Sequence, residues 1–230
     1  MSPFLGIKRS IYVLLISHPD DATILAYAAG AVTEGFSLVL AAHMESCPHC
    51  RGRMVEANAL GGELLSEIQP TVMSASGLED VWSCIDSEPD EEIPATTRHA
   101  PVDGVPGILI PYLPDGIDSL HWRSLMPGIR QHVINGVESG RGSVRLLSIA
   151  PGTIIPHHTH LGGELTLVIK GAYTDEMGCF QSGDLADLDA SVYHQPVAES
   201  GEPCVCLIAT DDRLRFSGVF SRMLQPLIGI

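Results

Sequence analysis

Two groups of residues in this 230-residue chain have the types and spacing of metal ligands, and they differ in chemical character. The first is His43-x3-Cys47-Pro48-His49-Cys50, with His18 upstream; the second is His158-Thr159-His160-x3-Glu164, flanked by Gly152 and Gly171 and followed at a distance by His194. Thiolates and imidazoles together are soft donors that close a tetrahedral shell around zinc. Imidazoles with a carboxylate form a harder set that accepts Zn, Mn, Fe, Ni or Cu and serves either structure or catalysis. Any account of function has to use both groups.

For the first group to converge, its residues must sit on helices. His43 and Cys47 are four apart and project from one helical face, and Cys50 lies one turn further on at the start of the next helix. Residues 20–29 read as a short helix with acids in its first turn and Gly30 just past its end. Thr33 can cap a second helix that runs through Phe36, Val39, Leu40 and His43 towards Cys47, and Pro48 suits the first position of a third, ending near Ile68 ahead of Pro70. In that third helix Val55, Leu60, Leu64, Leu65 and Ile68 fall largely on one face. Gly52, Gly61 and Gly62 weaken it by about 1 kcal/mol each relative to Ala, so packing and metal together must support it. His18, just before the first helix, is the best candidate for a fourth ligand, giving a closed His2Cys2 zinc site. A lone C-x2-C is as well explained by core packing, but His43 at helical spacing tips the balance to a metal. A redox role for the pair would need a βαβ setting, and His49 points elsewhere.

The second group belongs to strands. On a strand His158 and His160 point to one face, residues 161–163 form a turn, and Glu164 opens the next strand beside them. His194, following "GDLADLDASVY", is the natural fourth ligand, whereas His157 points to the opposite face. Short β-rich runs at 144–149, 153–158, 165–169, 185–188 and 204–209, separated by Gly and Pro, indicate an all-β sandwich or barrel. Cys204 and Cys206 share a strand face and read first as small buried residues, with oxidation chemistry as the sharper alternative. Cys84 and Cys179 have no spacing signal.

Between Glu79 and Pro114 an acidic cluster (Glu88, Asp90, Glu91, Glu92) gives way to scattered Pro and Gly with little apolar period, which marks a boundary. We expect a helical domain over 13–86, a linker over 87–109 and a β domain over 110–230, a multi-domain α+β chain; residues 1–17 show neither caps nor periodicity. A hydrophobic content of 45% is enough for two cores. The formal charge of -15 argues against direct nucleic-acid binding, which rests on Lys and Arg neutralising phosphates, and makes a basic protein the better partner. The apolar run at residues 11–16 is far short of the roughly 20 residues a membrane span needs, and six cysteines without a secretory signal read as reduced thiols. The expected location is the cytoplasm.

The segments "HPDDATILAYAAG", "AAHMESCPHC" and "ALGGELL" resemble the zinc-binding anti-sigma domain of the ChrR family. His43-x3-Cys47-x2-Cys50 is similar to that family's zinc signature, and His18 to its upstream histidine. The resemblance implies a helical module that wedges between the two domains of an extracytoplasmic-function sigma factor and keeps it from RNA polymerase. The frame Gly152-x5-His158-x-His160-x3-Glu164-x6-Gly171 resembles the first cupin motif, and Gly183-Asp184 with His194 resembles the second, without its usual Pro before Gly183 and with Gln195-Pro196 after His194. It implies a jelly-roll barrel holding zinc or another divalent transition metal, and Cys204-x-Cys206 is similar to a cysteine pair of the ChrR barrel domain.

The expected function is therefore a non-enzymatic switch: helices that sequester a sigma factor and a cupin domain that answers singlet oxygen or organic peroxide. Two other classes compete. A metal-dependent cupin enzyme of the dioxygenase type would leave the N-terminal ligands without a purpose. A plain zinc-stabilised interaction module would do the same to the barrel ligands.

Overall fold

The computed structural model describes residues 17–87 and 104–212, together with the backbone of 214–216; the N-terminal extension and most of the expected linker lie outside the described residues. Helix α1 (Asp21–Ala28) starts where Asp20 accepts the amide of Thr23 at 2.6 Å. Helix α2 (Glu34–Ser46) starts where Thr33 Oγ1 accepts the amide of Phe36. Helix α3 (Pro48–Ser66) is capped by Cys47, whose Sγ accepts the amide of Cys50 at 3.4 Å. These are side-chain caps of ordinary kind, satisfying amides that the first turn leaves without partners.

Helix α4 (Gly77–Ser87) corrects the expectation that irregular chain begins at Glu79. Leu78, Val81, Trp82 and Ile85 recur at i, i+3, i+4 and i+7, and Glu79 and Asp80 occupy the first turn, so both the apolar stripe and the charge placement of a helix are present. The surrounding acids obscured the period.

The β unit is antiparallel throughout. Its larger sheet has the order β1 (Arg123–Met126), β2 (Ile129–Val133), β3 (Ser143–Ile149), β10 (Cys204–Thr210), β5 (Glu164–Lys170) and β8 (Leu185–Leu188). Opposite lie β7 (Gly178–Gln181), β6 (Ala172–Asp175) and β9 (Val197–Ala198), and the pair β4 (His158–His160) and β11 (Leu214–Phe216). The expected strand over 153–158 forms only an isolated bridge between Ile154 and Val197, and the regular strand starts at His158. Pro156, with no N–H to give a ladder, stands between them. The hairpin β1–β2, turning at Pro127-Gly128 with Gly128 at φ +78, was not anticipated.

Strands β3, β5 and β10 are buried along nearly their whole length instead of at alternate positions. Such strands need cover on both faces. Inside the barrel, Leu147, Ile149, Val168, Cys204 and Cys206 meet Tyr173 and Phe180 of the smaller sheet. Outside it, Leu146, Leu165, Leu167, Val205 and Leu207 are covered by Leu38, Val39, Leu40 and Ala42 of α2 and by Leu109 and Leu113. Helix α2 is fastened at both ends: Gly35 donates to the Glu138 carbonyl at 2.9 Å, and Glu45 accepts the amides of Gly107 and Ile108 at 2.6 and 2.7 Å. A Cβ on Gly35 would sit 2.3 Å from Ser139 Oγ, so only glycine permits this approach.

Because Leu40 is fully buried in the layer that α2 shares with the sheet, Leu40→Ala should cost about 2–5 kcal/mol. Trp122 packs on the same layer, so urea unfolding followed by helical circular dichroism and by Trp122 fluorescence should shift together. A variant in which only the helical signal moves would refute the shared core.

Candidate metal centres

The caps that start α2 and α3 also aim the N-terminal ligand set. His43 reaches from the last turn of α2, Cys47 is the junction residue, and Cys50 lies in the first turn of α3. His18 approaches from the segment ahead of α1. The structure brings one donor atom from each of these four residues within 4.8 Å of the others. His43 Nε2 is 3.3 Å from Cys50 Sγ, and His18 Nδ1 is 3.4 Å from Cys47 Sγ and 3.3 Å from Cys50 Sγ. Donors held at 2.0–2.3 Å around one tetrahedral ion stand roughly 3.3–3.8 Å apart. His49 is exposed, with its ring 4.5 Å from that of His18 and outside the cluster.

Electrostatics point the same way. Burial pushes His43 down to about 4, which keeps its imidazole neutral. Burial, then the Cys47 thiol beside it, pushes Cys50 up to about 12. His43 Nδ1 lies 3.0 Å from the Gly183 carbonyl, an acceptor only, so Nδ1 carries the proton and Nε2 presents a bare lone pair to the sulfurs. A divalent cation would supply the charge that the buried Cys50 thiol needs in order to ionise.

The second cluster is built at one end of the barrel by β4 and the loop before β9. His158 and His160 share a face of β4, and His194 is held against them by a two-way backbone bridge with His158 at 3.2 Å each way, not by a strand of its own. The Nε2 atoms of His194 and His158 are 3.1 Å apart, and those of His160 and His194 3.4 Å. His158 Nδ1 donates to the Pro156 carbonyl at 2.9 Å and His194 Nδ1 to the enclosed Asp175 carboxylate at 2.8 Å. Both rings therefore turn unprotonated nitrogens towards each other, an arrangement that repels unless a cation lies among them. Burial pushes His158 down to about 4, against the pull of Glu164.

Glu164 stands at the edge of this group. Its Oε2 is 3.2 Å from His160 Nδ1, an atom that is buried with no hydrogen-bond partner of good geometry, and its Oε1 accepts from Thr166 at 2.9 Å. Leu147, Ile149, Ile155 and Cys206 line the cavity that the ligands face. Cys204 and Cys206 are buried with their sulfurs 3.6 Å apart. His157 pairs with Glu176 at 3.2 Å, away from the cluster. Asp175, Pro156 and Gly183, which fix the histidine tautomers, were not foreseen; two act through backbone carbonyls, which leave no mark in the side-chain pattern.

Both clusters are consistent with metal binding, and together they define a cupin barrel joined to a helical module with a Cys2His2 set. Residues 116–212 match the family described as the ChrR Cupin-like domain. The Anti-sigma-E factor ChrR of Cereibacter sphaeroides is 39% identical over 213 residues, covering 93% of this chain and 98% of that protein. The crystal structure of Rhodobacter sphaeroides SigE in complex with the anti-sigma ChrR matches with a TM-score of 0.69 at 37% identity, covering 85% of this chain and 98% of the matched one. The chain belongs to the ChrR family of anti-sigma factors. Among the described residues no helix is long and apolar enough to cross a membrane.

The depressed histidines set a pH dependence. Between the ordinary value of 6.5 and about 4, the unfolded chain takes up protons that folded His43 and His158 refuse. Stability from these groups is thus complete above the ordinary value and drains away as pH falls towards 4. Chelator-treated protein should show a lower urea midpoint at pH 5 than at pH 7; equal midpoints would contradict the burial of these rings.

Proposed function

We propose that this chain is a zinc-dependent anti-sigma factor that sequesters an extracytoplasmic-function sigma factor in the cytoplasm and releases it on an oxidative signal such as singlet oxygen or organic peroxide. The observation that carries the reading is an uncovered apolar surface. Val55 and Leu65 of α3 and Trp82 of α4 are 68%, 69% and 57% exposed, and Leu64, Val81 and Ile85 are exposed with them. No residue of α4 is buried. Several large apolar side chains left bare along each helix suit a protein interface. The relative that was crystallised with a sigma factor supports the kind of partner. The net charge of -15 favours a basic surface and speeds encounter with it. The chain acts as a regulator and not an enzyme, in keeping with the relative named an anti-sigma factor.

In this reading His18, His43, Cys47 and Cys50 hold zinc, which fixes the angle between α2 and α3 and so the surface that captures the partner. His158, His160, Glu164 and His194 hold zinc or another divalent transition metal, and supply a site at which a signal could act. The division of labour follows the expected boundaries: capture by 13–86, response by 110–230, with 87–109 between them.

Two measurements test this. Elemental analysis of purified protein should find two ions per chain, and one each in Cys50→Ser and in His158→Ala; a wild-type value near zero removes the metal reading. Co-purification with the cognate sigma factor should be lost in Cys50→Ser. Trp82→Glu should weaken capture by roughly 30-fold or more, the order of about 2 kcal/mol for a central aromatic, with metal content unchanged. Full-strength capture by Trp82→Glu would sink the assignment of this surface.

A further inference from the structure

We propose that the barrel completes the N-terminal metal site, so that metal binding by the helical residues and docking of those helices on the barrel form one coupled equilibrium. The proposal rests on the reading of His18, His43, Cys47 and Cys50 as ligands. Two of the four are positioned by residues some 140 or more positions away. His43 takes its ring orientation and tautomer from the Gly183 carbonyl in the turn between β7 and β8. His18 hangs between two anchors on the barrel. On one side Ser17 donates its amide to Asp184 Oδ1 at 3.2 Å and accepts the Leu185 amide at 3.1 Å; on the other, Asp20 donates its amide to Asp187 Oδ2 at 3.1 Å. From the helices, Arg53 of α3 donates to the carbonyl of the intervening Pro19 at 2.8 Å.

The sheet order explains why the barrel can do this. Strand β8 is the last in the larger sheet, so its outer edge has backbone groups to offer. Ser17 takes up part of that edge. Asp184 is 2% exposed and also accepts the Gln181 amide at 2.8 Å, which ties the turn and the His18 segment to one carboxylate. Outer hydrogen-bond partners of metal-bound histidines are typically worth about 10–100-fold in metal affinity. Linkage is reciprocal: whatever loosens this turn must weaken the metal, and loss of the metal must loosen the edge of β8 by the same free energy. Strand β8 pairs with β5 so that Leu188 faces Glu164 and Asp187 faces Leu165. The second ligand set therefore touches the strand that anchors the first.

Cobalt(II) is a suitable probe, because thiolate charge-transfer absorption reports the cysteine site separately from the histidine set. In the full-length chain, chelator competition read at that band should give an affinity at least tenfold lower for Asp187→Ala than for wild type. Asp187→Asn, which keeps an acceptor for the Asp20 amide, should stay within threefold. In Cys50→Ser the Leu185 amide should lose at least tenfold of its hydrogen-exchange protection, while that of Leu207 in the middle of the sheet is unchanged. An affinity for Asp187→Ala within twofold of wild type, an Asn variant as weak as the Ala variant, or unaltered Leu185 protection would each overturn the coupling. Absence of any thiolate band in wild-type protein would instead overturn the underlying metal reading, so the two failures are distinguishable.

Discussion

The structure depends on covering both faces of one six-stranded sheet. Strands β3, β5 and β10 bury side chains at nearly every position, not at every second one, so the barrel cannot be finished by its own smaller sheet. The inner face is closed by Tyr173 and Phe180, and the outer face by α2 and the segment around Leu109 and Leu113. Helix α2 also carries His43, and its C-terminal end hands the chain to Cys47 and Cys50. The contact that buries the sheet therefore also sets where the N-terminal ligand set stands. This is why that set lies beside the turn at Gly183 instead of at the far end of a free helical module.

The two clusters solve the same electrostatic problem with different donors. A buried imidazole is cheap only when neutral, and a neutral imidazole offers one bare nitrogen whose direction depends on what the other nitrogen binds. Carbonyls of Gly183 and Pro156 and the carboxylate of Asp175 each claim an Nδ1 proton, so the free lone pairs are aimed by the fold. In the helical cluster burial holds the Cys50 thiol back from ionising, a cost that a cation among the donors would offset. In the barrel cluster the acids Glu164 and Asp175 each meet one imidazole, at His160 Nδ1 and His194 Nδ1. The first arrangement is closed by soft ligands; the second leaves a side facing an apolar cavity.

Much of this was legible from short spacings. His43 with Cys47, and His158 with His160, are pairs whose geometry is dictated by one helix or one strand, and the structure does place each pair together. Strand β8 also lies where the β-rich run between turn residues put it, at 185–188. What local spacing does not carry is of three kinds. Helix α4 carries a regular apolar stripe that acidic neighbours disguised as linker. Hairpin β1–β2 announces itself mainly through Pro127-Gly128, because its strands are short and mixed in polarity. The anchors Gly183, Asp184 and Asp187 depend on tertiary proximity across the whole chain, and a carbonyl oxygen has no sequence signature at all.

The exposed stripe on α3 and α4 poses a conflict that the charge resolves. Exposed apolar side chains promote self-association, yet they are also what gives a partner interface its affinity. An excess of 15 negative charges spreads repulsion between copies of this chain while leaving attraction to a basic partner intact. Charge then governs which molecules meet, and the apolar stripe governs how long they stay. For that stripe to bind well its helices must already be in place, since ordering them on contact would cost part of the binding energy. Helix α3 is rooted in the cluster at Cys47 and Cys50, and its three glycines make it a weak helix on its own. An ion held at its N-terminus, as proposed, would meet that cost before the partner arrives and give His18, His43, Cys47 and Cys50 a purpose that packing alone would not.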